Sequence, residues 1–261
     1  MNNTAKSGKE RVARAATLFL LIVITLSLTA LFFLQREFQK PYVYSPNIRT
    51  LLYHLVDDET YGDYTYLFVK ENDFEEQLQY IQSLGIETYF ADEPERARGT
   101  PGVVITFDDG YADNYTTVFP LLKKYGMKAT IFLITDMIDT EGHLTTGQIK
   151  EMSASGLVRF GSHTETHLNA GNATEYELQQ EYLHAKEHIE SITGDPVLAF
   201  SYPNGVYTET AERLAAAVGY RYAYTTDTPS EPYYDNTRLP RNYVVRDMTI
   251  EEFTALFAPV K

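Results

Sequence analysis

Short strand-like runs rich in apolar and aromatic residues recur along this chain between stretches of helical spacing, and that alternation narrows its fold more than any other feature. The runs are Val103-Val104-Ile105 and the segments 129–134, 157–160, 196–200, 220–225 and 239–245, with an earlier one at 50–56 interrupted by Tyr53-His54. Each is bounded by residues that turn the chain, and each is too short for a buried helix. Between them, apolar residues recur at helical spacing: Phe74, Leu78 and Ile81; Val118, Leu121, Leu122 and Tyr125; Leu178, Tyr182, Ala185 and Ile189; Leu214 and Val218. Asp73 with Glu76 and Thr174 with Glu177 have the spacing of capping boxes, Thr145 or Thr146 caps a further helix, and Gly85, Gly126 and Gly156 stand where helices stop. Strands alternating with helices call for parallel βαβ units. We therefore expect an α/β fold, a distorted (β/α) barrel of about seven parallel strands in preference to an open sheet, although the alternation alone does not separate the two; in a barrel the chemistry collects on loops after the C-terminal ends of the strands.

One segment stands apart. Residues 15–34 carry no charge over 20 positions, long enough to span a bilayer as a helix. Lys6, Lys9, Arg11 and Arg14 precede it against Glu10 alone, which predicts a cytoplasmic N-terminus and an extracytoplasmic body. A cleaved signal peptide would share the basic start and apolar middle, but four apolar residues follow the small-residue candidate Leu28-Thr29-Ala30. The expected organisation is a basic stretch at 1–14, a transmembrane signal-anchor at 15–34, a linker with Pro41 and Pro46 at 35–48, and one domain over 49–261. The whole chain has a formal charge of −14, and residues 1–34 carry a net +3, which leaves −17 on the remainder. A body so acidic repels phosphate backbones, which excludes nucleic acid as a partner. With no cysteine, disulfide and thiolate chemistry are excluded as well.

Three strand ends carry polar residues of consequence. Thr106-Phe107-Asp108-Asp109-Gly110 closes the first full strand with two adjacent carboxylates, whose repulsion calls for a cation or for separate proton affinities. His163-Thr164-Glu165-Thr166-His167 follows another strand and sets two imidazoles four residues apart. Two histidines and a carboxylate make a facial triad that leaves coordination positions open, and Asp109 can supply the carboxylate. Ser201-Tyr202-Pro203-Asn204-Gly205 ends a third strand with rigid turns able to aim backbone N–H groups at an oxyanion. His184 and His188 also lie four apart, off the apolar face of a long helix, and read as surface residues. Tyr61, Tyr64 and Tyr66 belong to an acidic excursion at 57–72, where loop tyrosines most often cover neighbouring surface.

At this point the chain resembles a known family, the NodB-type polysaccharide deacetylases of carbohydrate esterase family 4. Residues 106–110 match its first motif, residues 163–167 its second, and 200–205 resemble its third. The resemblance implies that Asp109, His163 and His167 hold a divalent metal, zinc foremost. It implies that Asp108 is the general base and that the backbone at Asn204, with Tyr202 beside it, binds the oxyanion and substrate. The substrate class implied is an N-acetylglucosamine polysaccharide. The usual third-motif arginine, fourth-motif tryptophan and C-terminal histidine are absent, since the chain has no tryptophan and no histidine after His188. Leu51-Leu52-Tyr53-His54 resembles the early Tyr-His strand of the bacterial poly-N-acetylglucosamine deacetylases, which implies His54 as the acid. Arg241, or less favourably Arg238, is the candidate to orient Asp108. A poly-N-acetylglucosamine deacetylase is thus expected, with peptidoglycan or chitin-type substrates and an inactive carbohydrate-binding protein as alternatives.

Overall fold

Strand β5 (Gly102–Phe107) is buried along its whole length, as a parallel strand covered on both faces must be. It pairs in parallel with β1 (Ile48–Tyr53), with β4 (Glu87–Tyr89) and with β6 (Ala129–Leu133). Beyond β6 come β7 (Val158–Ser162), β8 (Ala199–Ser201) and β9 (Tyr222–Tyr224), all parallel. On the far side of β1 lies β10 (Asn242–Tyr243). The path β10-β1-β5-β6-β7-β8-β9 is the expected curled arrangement of seven parallel strands. A separate small pair, β2 (Leu55–Val56) and β3 (Phe68–Val69), frames the excursion between them.

The two edges of the curled sheet meet through one short segment. Leu239 pairs with Tyr224 of β9, and three and four residues later Asn242 and Tyr243 pair with β1. Leu239 N–H donates to Ala223 O, Thr225 N–H to Leu239 O, and Val244 N–H to Leu52 O. Residues 239–243 therefore bridge the first and last strands. That bridge brings the residue at its middle, Arg241, to the barrel interior with no exposed surface.

Side chains alternate across the strands. Val104, Phe132, Ala199, Tyr222, Tyr224 and Leu239 form an inner cluster, whereas Val103, Ile105, Phe107, Phe160 and Phe200 join the larger core beneath the helices. Those helices are α1 (Glu71–Ser83), α2 (Phe119–Tyr125), α3 (Thr146–Ala154), α4 (Glu175–Thr193), α5 (Glu209–Val218) and α6 (Ile250–Ala255). Capping boxes form at Thr145 with Gln148 and at Thr174 with Glu177, as their spacing predicts. The pattern at Asp73 and Glu76 caps nothing. Helix α1 begins at Glu71 after Lys70, because β3 ends at Val69 and Phe74 N–H already bonds to Lys70 O. Residues 114–118 form a π turn before α2, in a stretch where Asn114 Nδ2 donates to His54 O just beyond β1.

The computed structural model describes residues 48–94, 101–229 and 235–258, together with Arg14 and residues 17–20, 23, 25 and 27. The chain divides into two compact units, Met1–Pro41 and Tyr42–Lys261. The expected 1–14 stretch, 15–34 anchor and 35–48 linker lie for the most part outside the described residues. Among the described residues no helix is long and apolar enough to cross a membrane.

Candidate active site

The alternation that buries Val104 inward carries Thr106 and then Asp108 to the same face. Asp108 is 2% exposed and fully engaged. Arg241 grips it as a fork, Nη1 to Oδ1 at 2.7 Å and Nη2 to Oδ2 at 2.8 Å. The same guanidinium donates through Nε to Thr225 O at 2.9 Å, through Nη1 to Thr106 Oγ1 and through Nη2 to Ser201 Oγ. Ser201 Oγ in turn donates to Asp108 Oδ2 at 3.0 Å. Burial alone would raise the Asp108 carboxyl, but the charge and hydrogen bonds of Arg241, with the nearby imidazoles, hold it well below the usual carboxylate range.

Asp109, the next residue, has the opposite surroundings. The chain leaves β5 with Asp109 at φ 72° and Gly110 at φ 77°. A Cβ on Gly110 would stand 2.5 Å from Leu133 Cδ2, so only glycine lets the turn close against β6. The turn leaves Asp109 Oδ1 buried without a hydrogen-bond partner. His163 Nε2 lies 3.4 Å from that oxygen and His167 Nε2 3.8 Å, with all three ligand atoms within 4.8 Å of one another. His163 Nδ1 lies 2.8 Å from Ser201 O, which can only accept, so Nδ1 carries the hydrogen. Burial pushes the His163 pKa down despite the nearby aspartates, which favours the neutral ring, and in that form its Nε2 lone pair faces a carboxylate oxygen. Two acceptors aimed at each other in a buried site repel unless a cation lies between them. The donor set therefore fits a divalent metal, and the two imidazoles and one carboxylate suit zinc or another transition metal.

Local backbone geometry marks the same places. Asp109, Thr164, His167 and Asn204 all have positive φ without being glycine, and only Asp139 shares that property among the described residues. For a β-branched residue such as Thr164 this conformation is costly, and it persists where surrounding contacts enforce it. Glu181 on α4 supplies one such contact: its two carboxylate oxygens accept Thr166 N–H at 2.8 Å and Thr166 Oγ1–H at 2.7 Å, which pins the turn between the two histidines. Glu181 is buried beside Leu178, Tyr182 and Ala185, and an acid on an apolar helix face was the signal that could have found it.

His54 sits at the end of β1, partly buried, with Nδ1 lacking a partner among the described residues. Burial lowers its pKa, opposed by the charges of Asp109 and Asp108, so it shares their electrostatic environment. Two neighbouring side chains hold its strand: Asn114 Nδ2 donates to His54 O at 3.2 Å, and Val56 N–H donates to Asp113 Oδ2 at 2.7 Å. Tyr243 stacks on the His54 ring at 5.7 Å. Tyr111, against Asp109, stacks on His143 at 5.1 Å.

Not every expected residue converges here. Tyr202 was expected beside the substrate, but its side chain has no exposed surface and packs against Phe200 and Tyr207 in the outer core. Alternation is the reason: Ser201 is the inward residue of that strand and Tyr202 the outward one, so parity along β8 could have identified Ser201. Asn204 lies exposed in the turn after β8 at φ 58°. Of the two arginines considered, Arg238 pairs with Glu212 at a half-exposed position, whereas Arg241 reaches Asp108. His184 is exposed and pairs with Glu165 at 3.1 Å, and His188 joins no metal-sized cluster among the described residues.

Comparison with known proteins agrees with this geometry. Residues 95–223 match the family model for polysaccharide deacetylase. The chain is 36% identical over 167 residues to YxkH of Bacillus subtilis, an alignment covering 62% of this chain and 60% of that protein. It is 32% identical over 120 residues to the peptidoglycan-N-acetylglucosamine deacetylase of Bacillus cereus, covering 46% of this chain and 54% of the relative. It is 28% identical over 198 residues to the poly-β-1,6-N-acetyl-D-glucosamine N-deacetylase of Staphylococcus epidermidis, covering 69% and 68%. The first two alignments thus span little more than half the length of those relatives. Among solved structures, the polysaccharide deacetylase BC0361 of Bacillus cereus superposes with a TM-score of 0.72 at 29% identity, over 80% of this chain and 68% of that one. Motifs, strand order and the Asp109-His163-His167 cluster agree with these matches, and the chain carries a polysaccharide deacetylase domain of the NodB type, carbohydrate esterase family 4.

Proposed function

We propose that this protein is a metal-dependent hydrolase that removes N-acetyl groups from N-acetylglucosamine units of an extracytoplasmic polysaccharide, poly-β-1,6-N-acetylglucosamine foremost. The observation that carries the reaction type is the division of labour between adjacent aspartates: Asp108 fully hydrogen-bonded to Arg241 and Ser201, Asp109 with a bare oxygen facing two imidazoles. The substrate preference draws on the Staphylococcus epidermidis relative, which aligns over a larger share of both chains than the peptidoglycan-acting relative does. The Bacillus cereus relative is what favours peptidoglycan as the second reading.

In this reading Asp109, His163 and His167 hold the metal, with zinc the expected ion. When bound, such an ion polarises the acetamide carbonyl and makes the attacking water more acidic. Asp108 accepts the proton from that water. Arg241 keeps the carboxylate ionised and fixes its orientation, acting as a positioning residue. Ser201 couples the two halves, since its hydroxyl bonds to Asp108 while its carbonyl sets the His163 tautomer. The backbone around Asn204 faces the developing oxyanion. His54, whose charged form burial disfavours, takes up the proton that Asp108 has accepted from the water and delivers it to the leaving nitrogen, which returns Asp108 to its ionised form. Water adds to the carbonyl carbon, the C–N bond breaks, and acetate and a glucosamine amine are released. The uncharged 15–34 segment behind its basic cluster supports an uncleaved single-pass anchor with the domain outside the cytoplasm.

The test measures acetate released by the full-length protein in mild detergent from β-1,6- and β-1,4-linked N-acetylglucosamine oligomers. Wild type should act on the β-1,6 series and stop when the metal is chelated. Asp108→Asn should lose roughly a thousandfold in kcat while keeping its metal. Acetate release that survives both chelation and Asp108→Asn would sink this mechanism.

A further inference from the structure

Exposed large apolar side chains are few on the described part of the catalytic unit, and half of them fall in one stretch. Tyr61, Tyr64 and Tyr66 are 58%, 65% and 50% exposed, while Leu84, Met137 and Tyr176 are scattered elsewhere. Clustered exposed aromatics on a soluble surface mark a contact site more often than isolated ones do. The stretch that carries them is held in place. Arg246 donates through its backbone N–H to Tyr66 O at 3.0 Å and through Nη2 to Asp58 O at 2.7 Å. Leu67 N–H closes a tight turn onto Tyr64 O, Asp57 N–H bonds to Val69 O, and the Tyr61 ring stands edge-on against buried Phe68 at 4.8 Å.

The aromatic surface is continuous with the active site. From the His54 ring the contact passes to Tyr243 at 5.7 Å, from Tyr243 to Tyr66 at 6.5 Å, and from Tyr66 to Tyr64 at 6.2 Å. Exposure rises along this series, from half-buried Tyr243 to Tyr64 at 65%. Each pyranose ring has an apolar face of C–H groups, and the negative face of an aromatic ring attracts such weakly positive hydrogens while burying apolar area. A row of rings that starts at the proposed proton donor and runs outward suits a chain of such sugars, one end of which presents its acetamide to the metal side.

We propose that Tyr243, Tyr66 and Tyr64 form a ledge for the sugar units next to the one being deacetylated, so that the domain takes its β-linked N-acetylglucosamine substrate as an oligomer and not as a single sugar. The ledge rests on the deacetylase reading above. It assigns Tyr64 and Tyr66 to binding, with Tyr64 touching the sugar farther from the reacting unit. Because both are exposed, their removal leaves the core intact, and Tyr176→Ala on α4, an exposed tyrosine outside this series of ring contacts, provides a matched control.

The experiment compares kcat/KM on the N-acetylglucosamine pentamer and dimer, using metal-loaded full-length protein. Wild type should favour the pentamer, and Tyr64→Ala with Tyr66→Ala should cut that preference roughly tenfold, chiefly through KM. Tyr176→Ala should keep the wild-type ratio. An unchanged pentamer-to-dimer ratio in the double variant overturns the ledge and leaves the aromatic patch to a lipid or protein surface, with the deacetylase reading intact. No acetate from either oligomer with wild type overturns the deacetylase reading itself, and the ledge with it.

Discussion

Asp108 and Asp109 are covalent neighbours, yet they occupy opposite chemical regions. Every oxygen of Asp108 is met by a donor, and its principal partner arrives from 133 positions away in the chain. Asp109 keeps one oxygen bare and faces two imidazoles supplied by a turn after a nearby strand. One carboxylate is stabilised as an anion by the protein, whereas the other is completed only by something the protein must bind. The difference shows how two adjacent acids can be kept in a buried site: their repulsion is offset by a guanidinium at one and, in the proposed reaction, by a metal at the other.

That contrast can be broken most directly on the Asp109 side. Asp109→Ala should abolish stoichiometric metal binding and with it all acetate release, as read by metal content after dialysis. Asp108→Asn should leave metal in place, so equal metal loss in both variants would show that the two regions are not separable. A second test addresses the Asp108 side. Arg241 holds the base ionised well below the usual carboxylate range, so protonation of Asp108 sets no limit on wild-type activity near neutral pH. Arg241→Ala leaves burial, which raises the carboxyl, as the leading influence, and the acidic limb of kcat/KM should move to higher pH. Arg241→Lys, which keeps the charge but not the fork, should move it less. Because losing one partner of a buried pair costs about 3–5 kcal/mol, the lysine variant also serves as the better-folded comparison. An acidic limb identical in all three proteins would refute the role of Arg241.

The smallest effect belongs to Glu181. Glu181→Gln removes one of the acceptors that pin Thr166 and so loosens the turn that carries His167. Metal affinity should fall about ten- to a hundredfold, measured by competition with a chelating dye. The acidic limb set by Asp108 should stay where it is, since Glu181 bonds to the histidine turn and not to the base. A shifted limb with unchanged affinity would reverse the assignment of the two regions.

Much of this site was legible before any coordinates because its parts are local. Thr106 to Gly110 and His163 to His167 each lie within a few residues of a strand end, where barrel geometry puts chemistry. The apolar face of α4 and the cap at Thr174 follow from helical spacing. What stayed hidden was either a matter of facing or of distance along the chain. Tyr202 was placed beside the substrate by the family resemblance, but a side chain one position along a strand faces the other side of the sheet, and Ser201 took the inward place. Glu181 gave its signal only as an acid on an apolar face, and its partner Thr166 could not be named without the turn's left-handed backbone at Thr164 and His167. The cap expected at Asp73 failed because the pairing of β3 with β2, made between separate segments, decided where α1 began.

Sequence alone settles the parallel α/β class, the metal-binding triad as a candidate and the acid pair as its centre. Each of these depends on periodicity or on residues close together in the chain. Only the tertiary structure decides that Arg241, and not Arg238, meets Asp108. The physical reason is closure: residues 239–243 join β9 to β1, so that Arg241 points into the barrel with nowhere to place its charge except on the one buried carboxylate beside it.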